Sequence, residues 1–415
     1  MCGLETLRGL AALLVVLLHA GIPYMTQPLQ HLVWPARSAS PSVTVNAIVW
    51  CAECLLMPLF FVLGGFFAKG LLVTRGDRQF LIERTWRLAP TQVVAALVVL
   101  PICLVIWCVG WVADGLYVPQ DIFNTGLPAE LNAELWGVAH IWFLQNLYIY
   151  CLILYGATVL SRRWRTSSAS DPSQTGLFDR ALMSFWKPLI PVVPCALVLY
   201  WDPRIVIGFY QCFLPVFSKL VYYAIYFFIG ARMYQHGSTL TKYARYGRTY
   251  LAAAALLFCV MLPLIHEHLA TPLTGGKLAL LTGMLSLFAW LATFGLLAEF
   301  LTHQYDGPAL RYLAEASFWL YLVHLPFVVL TQIAIAPLAL PTEVKYVLAG
   351  AIPVALAMMS YAVFVRNTRI GWFLNGCRQD KTAARVEPTA APALTVTLGN
   401  AAQSTLAPLP EQQAV

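Results

Sequence analysis

Arg8 and His19 stand eleven positions apart in the apolar stretch LETLRGLAALLVVLLHAGIPY, residues 4–24. At about 3.6 residues per turn they project from one face of a helix, roughly 16 Å apart along its axis. If that helix crosses a bilayer, one face offers a cation near the surface and an imidazole near the midplane. Ionisable groups at such depth are costly and mark functional sites. An imidazole titrates near neutrality, so His19 is suited to serve as a base for a hydroxyl or as a transient acyl carrier.

Of the eight histidines, His324 is the other that lies well inside an apolar stretch, again about 16 Å from its start. Two imidazoles at matching depth suit a buried proton-transfer site. Arg84 and Arg87, in FLIERTWRLAPTQ, are three apart and share a helix face, a spacing that fits a phosphate clamp as well as membrane anchoring. His140 and Trp142 open HIWFLQNLYIY, which reads as an aromatic belt or as a sugar or acyl platform at the mouth of a pocket. Gly64 and Gly65 allow close helix approach, with packing the favoured use.

These groups need a scaffold, and the composition supplies one. The chain is 60% hydrophobic and 11% charged over 415 residues, more apolar than a soluble domain. Runs of about twenty apolar residues predict an all-α polytopic bundle of about ten transmembrane spans. They fall at 7–25, 46–68, 88–112, 140–160, 187–202, 215–233, 250–268, 277–299, 313–337 and 344–365. The fifth is the weakest, broken by Pro188, Pro191 and Pro194.

Alternating these spans from an inner N-terminus gathers most of the 26 Lys and Arg on one side. Only Arg37, Arg204, Lys219, Lys277 and Lys345 remain on the other. The positive-inside rule therefore predicts that both termini are cytoplasmic. The net charge of +7 is a topology signal rather than a nucleic-acid footprint. Cys51 and Cys54 form a lone CxxC, better read as packing than as a zinc site, and no metal centre is expected. Residues 1–370 read as one membrane domain without an internal repeat. The loop TSSASDPSQTG, residues 166–176, is polar, and residues 379–415, rich in Ala, Pro, Thr and Gln, read as a disordered tail.

Taken in order, these pieces resemble the acyltransferase-3 family of membrane acyltransferases. Arg8 with His19, FFVLGGFF, Arg84 with Arg87, HIWFL and SFWLYLVH follow the family's sequence of motifs. The layout is most similar to its glucan biosynthesis protein C branch. Gly64 departs from the usual Ser and removes a hydroxyl, while Glu5 replaces the usual Asp and keeps the carboxylate. The resemblance implies transfer of an acyl group, acetyl or succinyl, from cytoplasmic acyl-CoA to a hydroxyl of a periplasmic or cell-surface glycan. It implies a place in a bacterial inner membrane, no permanently bound cofactor and no nucleic-acid partner. It assigns catalysis to His19, Arg8 and His324, CoA binding to Arg84 and Arg87, and acceptor binding to His140, Trp142 and Tyr321.

A transporter or flippase for an amphipathic or glycan-linked solute could use the same buried His and Arg, although inverted repeats would then be expected. A sensor or scaffold would not need Arg8 and His19 aligned. Transfer across the membrane carries a structural expectation. His19 and His324 should face one internal cavity that opens near Arg84 and Arg87.

Overall fold

The computed structural model describes residues 2–375, apart from 119, 121–135, 166–189, 236–244 and the single positions 28, 30, 31, 39, 304 and 306. The acidic residues Asp121, Glu130 and Glu134, the polar loop 166–176 and the tail 379–415 lie outside the described residues. All the regular structure among the described residues is helical. This is the outcome lipid enforces, since a spanning segment must satisfy its backbone N–H and C=O groups internally.

Among the described residues, eight helices are long and apolar enough to cross a membrane. α1 is Cys2–Gly21, continued by a 3₁₀ turn at Ile22–Tyr24, and α2 is Val43–Arg75. α3, Asp77–Val94, and α4, Leu100–Ala113, form one span joined by a π-helical turn at Ala95–Val99. Pro101, in the first turn of α4, lacks the N–H that would continue a regular α ladder. α5 is Trp142–Arg165, entered through a 3₁₀ turn at Ala139–Ile141.

Two predicted spans form helices that are too short or too polar to join these eight. α6 is only Val192–Trp201, with Pro191 at its N-cap, and α7 is Phe217–Gln235, whose apolar content is diluted by Ser218, Lys219 and Arg232. α8 is Gly247–Ala270, α9 is Gly275–Thr302 and α10 is Pro308–Ile335. α11, Thr342–Ser360, runs into a second π turn at Tyr361–Val365, and α12, Arg369–Asn375, closes the described chain.

Glycines decide which helices touch. α2 packs extensively on α7. A Cβ on Gly65 would lie 1.8 Å from the Phe227 carbonyl oxygen, and one on Gly230 would lie 2.0 Å from that of Val62. Backbone meets backbone there, the close approach that small residues permit in membranes. A Cβ on Gly64, by contrast, would meet side chains alone, the end of Leu147 at 3.0 Å and the Phe227 ring at 3.9 Å. Large apolar side chains such as Leu97, Val105, Leu197, Leu256 and Val347 are exposed, as expected for surfaces whose solvent is lipid.

Polar contacts collect at the two ends of the bundle. At the Arg8 end, Arg75 pairs with Glu83, Arg162 with Asp77 and Arg248 with Glu299. At the opposite end Arg37 pairs with Asp114, Arg204 with Asp202 and Lys277 with Glu267.

Candidate active site

α1 and α10 run parallel, side by side, and carry the centre of the site. From one end to the other, Thr6 Oγ1 donates to the Tyr305 carbonyl at 3.0 Å, Arg8 Nη2 donates to Ala314 O at 3.0 Å, and the rings of His19 and His324 meet edge-on with centroids 4.9 Å apart. Gly9 sets this spacing, because a Cβ there would lie 3.1 Å from Ala314 Cα. Equal depth on parallel helices thus becomes direct contact. A third ring joins them: His140 lies 5.2 Å from His324.

Two prolines shape the cluster. Pro326 sits inside α10 and has no N–H to offer the Leu322 carbonyl one turn earlier. His140 Nε2 donates to that carbonyl at 3.2 Å. Pro23 likewise leaves the His19 carbonyl without its helical donor, and Gln332 Nε2 takes its place, bonding His19 O at 2.9 Å and Ala20 O at 3.1 Å. The other end of the same amide accepts from Trp34 Nε1 at 2.8 Å, which seats the indole against His19, centroids 6.3 Å apart. Gln332 and Trp34 were not among the residues singled out from the sequence.

Each imidazole has one nitrogen committed to a backbone carbonyl. A carbonyl can only accept, so the ring nitrogens donate: His19 Nδ1 to Val15 O at 2.8 Å, His324 Nδ1 to Tyr321 O at 2.8 Å, and His140 Nε2 to Leu322 O. In the neutral rings this leaves lone pairs on His19 Nε2, His324 Nε2 and His140 Nδ1. The last two are buried and have no hydrogen-bond partner. His140 is fixed a second time, since Tyr321 Oη donates to its carbonyl at 2.8 Å. Ala139, just before it, is held at φ +43°, a strained conformation for a residue with a Cβ.

A cavity of about 170 Å³ adjoins these rings on the side of the 22–34 and 208–211 loops. His19, His140, Trp142 and Tyr321 line it, together with Trp34, Trp107, Glu53 and Lys219. His324 is fully buried behind the lining, in contact with His19, His140 and Tyr321 of the cavity wall. Gly137 brings the His140 segment against the opposite loop, where a Cβ would lie 2.4 Å from Cys212 N.

Arg8, Arg84 and Arg87 assemble on the other side of the histidines. They lie within electrostatic reach of one another. Phe67, Phe80 and Phe318 back the guanidinium groups of Arg8, Arg84 and Arg87 at 5.8–5.9 Å. No carboxylate among the described residues closes to ion-pairing distance on any of the three; Glu83 is engaged by Arg75 at 2.6 Å. Arg8 Nε and Arg84 Nε are buried without a partner. Cations without an ion-paired carboxylate, two of them with an unused donor, suit an anion.

The cavity does not reach these arginines, contrary to expectation. Aromatic rings fill the interval: Phe318 stacks on Tyr321 at 6.4 Å, and Tyr321 meets Phe143 at 5.8 Å and His140 at 5.7 Å. From Ala314, held by Arg8, to His324 the rise along α10 is about 15 Å.

Comparison with known proteins adds the family. Residues 3–365 match the acyltransferase domain model of the acyltransferase-3 type. The chain is similar to "Glucans biosynthesis protein C" of Salmonella schwarzengrund (strain CVM19633), at 21% identity over 395 residues, covering 92% of this chain and 97% of the relative. It is similar at the same identity to the protein of that name from Salmonella heidelberg (strain SL476), over 401 residues. No solved structure matches the chain. The family match takes in every residue of the arginine and histidine clusters, and the helices are those of a multi-pass membrane protein. The chain belongs to the acyltransferase-3 family and is a membrane transferase of acyl groups other than aminoacyl groups.

Proposed function

We propose that this protein moves a small acyl group, acetyl or succinyl, from cytoplasmic acyl-CoA to a hydroxyl of an extracytoplasmic glycan across a bacterial inner membrane. One observation carries the reading: the lone pair of His19 faces a cavity on one side while an arginine cluster with no ion-paired carboxylate lies about three turns away on the other. The phosphates of CoA would engage Arg8, Arg84 and Arg87, and the extended pantetheine arm would carry the thioester towards His19 once the Phe318 and Tyr321 rings that fill the interval swing aside. The acceptor hydroxyl would enter through the cavity, beside His140, Trp142 and Tyr321.

In the transfer, His19 Nε2 takes the hydroxyl proton as the oxygen attacks the thioester carbonyl. The C–O bond forms, the C–S bond breaks, and the proton ends on the departing CoA thiolate. His324 and His140, with lone pairs beside His19, would hold the imidazolium that forms. Names of the curated relatives, glucan biosynthesis proteins, support a glycan as acceptor.

The test is thioester cleavage by the purified protein, with acetyl-CoA and succinyl-CoA as donors and with or without a glucose oligosaccharide. Acceptor-dependent release of free CoA is expected. Transport of a solute without CoA release would replace this reading with that of a flippase.

A further inference from the structure

Glu53 and Lys219 have no part in the proton transfer just described, yet both line the cavity that holds His19 and His140. Glu53 lies within α2, in the run VWCAECLLMP, and Lys219 in the first turn of α7. A carboxylate and an ammonium inside a membrane bundle are expensive unless paired or functional. These two attract each other but stop short of hydrogen-bond or ion-pair contact. The other nearby carboxylate, Asp202, already accepts from Tyr210 Oη, Ser218 Oγ and Arg204 Nε. Lys219 Nζ rests instead on the face of Trp142, 3.6 Å from the ring centroid. The cavity wall thus presents an acceptor and a donor, held apart on separate helices, beside the aromatic rings of Trp142, Tyr210 and Tyr223.

A hydroxyl both donates and accepts, so neighbouring hydroxyls can span such a gap: one donates to the carboxylate while the next accepts from the ammonium. Apolar C–H faces of the same sugar ring would lie against the aromatic wall. Glu53 and Lys219 are therefore matched to a carbohydrate, and poorly matched to a simple alkyl alcohol, which can satisfy only one of them.

We infer that Glu53 and Lys219 form the acceptor subsite, gripping adjacent hydroxyls of a carbohydrate so that a further hydroxyl meets His19 Nε2. This inference rests on the acyl-transfer reading for its consequence, and on the cavity itself for the binding.

Two measurements test it on the full-length protein. Steady-state transfer from acetyl-CoA to a short linear glucose oligosaccharide is compared for the parent, Glu53→Gln and Lys219→Met. Loss of one charge-assisted contact should raise the acceptor KM about tenfold or more, with acetyl-CoA binding unchanged. Separately, the oligosaccharide alone should shield Lys219 of the parent from an amine-reactive reagent, read by peptide mass mapping, whereas CoA alone should not. Shielding needs no turnover. A parent that shields Lys219 but releases no CoA would overturn the transfer reading and keep the subsite. Folded variants with the parent's acceptor KM, or a Lys219 equally reactive with and without the saccharide, would overturn the subsite. Should a variant fail to fold, the shielding of the parent decides.

Discussion

The carbonyl of His19 accepts from the Gln332 side-chain amide at 2.9 Å, the bond a helical N–H would make if residue 23 were not proline. Gln332 thereby fixes the end of α1 at the turn that carries His19, and fixes Trp34 against the ring. Replacing it by Leu removes both functions and strands buried groups, at about 1–3 kcal/mol for each one left unsatisfied. Gln332→Leu should lower kcat for transfer at least tenfold while acyl-CoA binding, proposed for the other end of α1, stays near the parent. A variant with parental kcat would show that the His19 position does not depend on this amide.

Pro326 offers a sharper test because the substitution improves the local helix. Pro326→Ala supplies the missing N–H to Leu322 O, the acceptor that His140 uses. An interior proline costs a helix about 3 kcal/mol, so thermal stability should hold or rise. Transfer should fall, since the ring of His140 must then share the Leu322 carbonyl and keeps only its backbone bond from Tyr321 undisturbed. A rise in melting temperature with undiminished CoA release would separate His140 from the reaction.

His19→Ala should abolish acceptor-dependent CoA release with expression and membrane insertion intact. The same lone pair could act as base or attack the thioester itself, and a single-turnover experiment separates the two. Labelled acetyl-CoA mixed with parent protein in the absence of acceptor should leave no label on the chain if His19 is a base. Label that appears on the parent and not on His19→Ala would identify an acyl-imidazole. Near-normal transfer by the alanine variant would remove His19 from the centre of the mechanism.

The depth of the two histidines was legible because helical rise is fixed: Arg8, His19 and His324 could be placed along their axes from position alone. Rotation between helices was not. That α1 and α10 run together depends on Gly9 against Ala314, a contact between residues distant in the chain. The barrier between cavity and arginines was also hidden, because Phe318 and Phe143 read from the sequence as ordinary span residues and Tyr321 as an acceptor contact, not as part of a wall. Other signals were present and passed over. Pro23 stands four residues after His19 and Pro326 four after Leu322, so both freed carbonyls could have been named, though not the partners that take them. Glu53, a carboxylate in the run VWCAECLLMP, was visible too, but its counterpart Lys219 read as an outer-face charge and not as part of a cavity wall.

Arg84 and Arg87 give the last prediction, which separates anchoring from recognition. Lys keeps the positive charge that anchors a helix end, so the double substitution Arg84→Lys with Arg87→Lys should preserve insertion and orientation. It removes the planar fork that grips two phosphate oxygens at once. Charged hydrogen bonds contribute about 1.5–3 kcal/mol each, and the loss of even one corresponds to about tenfold or more in Kd. Acyl-CoA affinity of the double variant should fall by at least that factor, with the acceptor KM little changed because the cavity proposed for the acceptor lies beyond the Phe318–Tyr321 stack. Binding should also weaken as salt is raised, more steeply for the parent than for a variant in which Arg8 is removed, because three cations then become two. If the double Lys variant binds acyl-CoA as tightly as the parent, the pair serves only to hold α3 in the membrane, and the thioester must be delivered by Arg8 and the backbone around it.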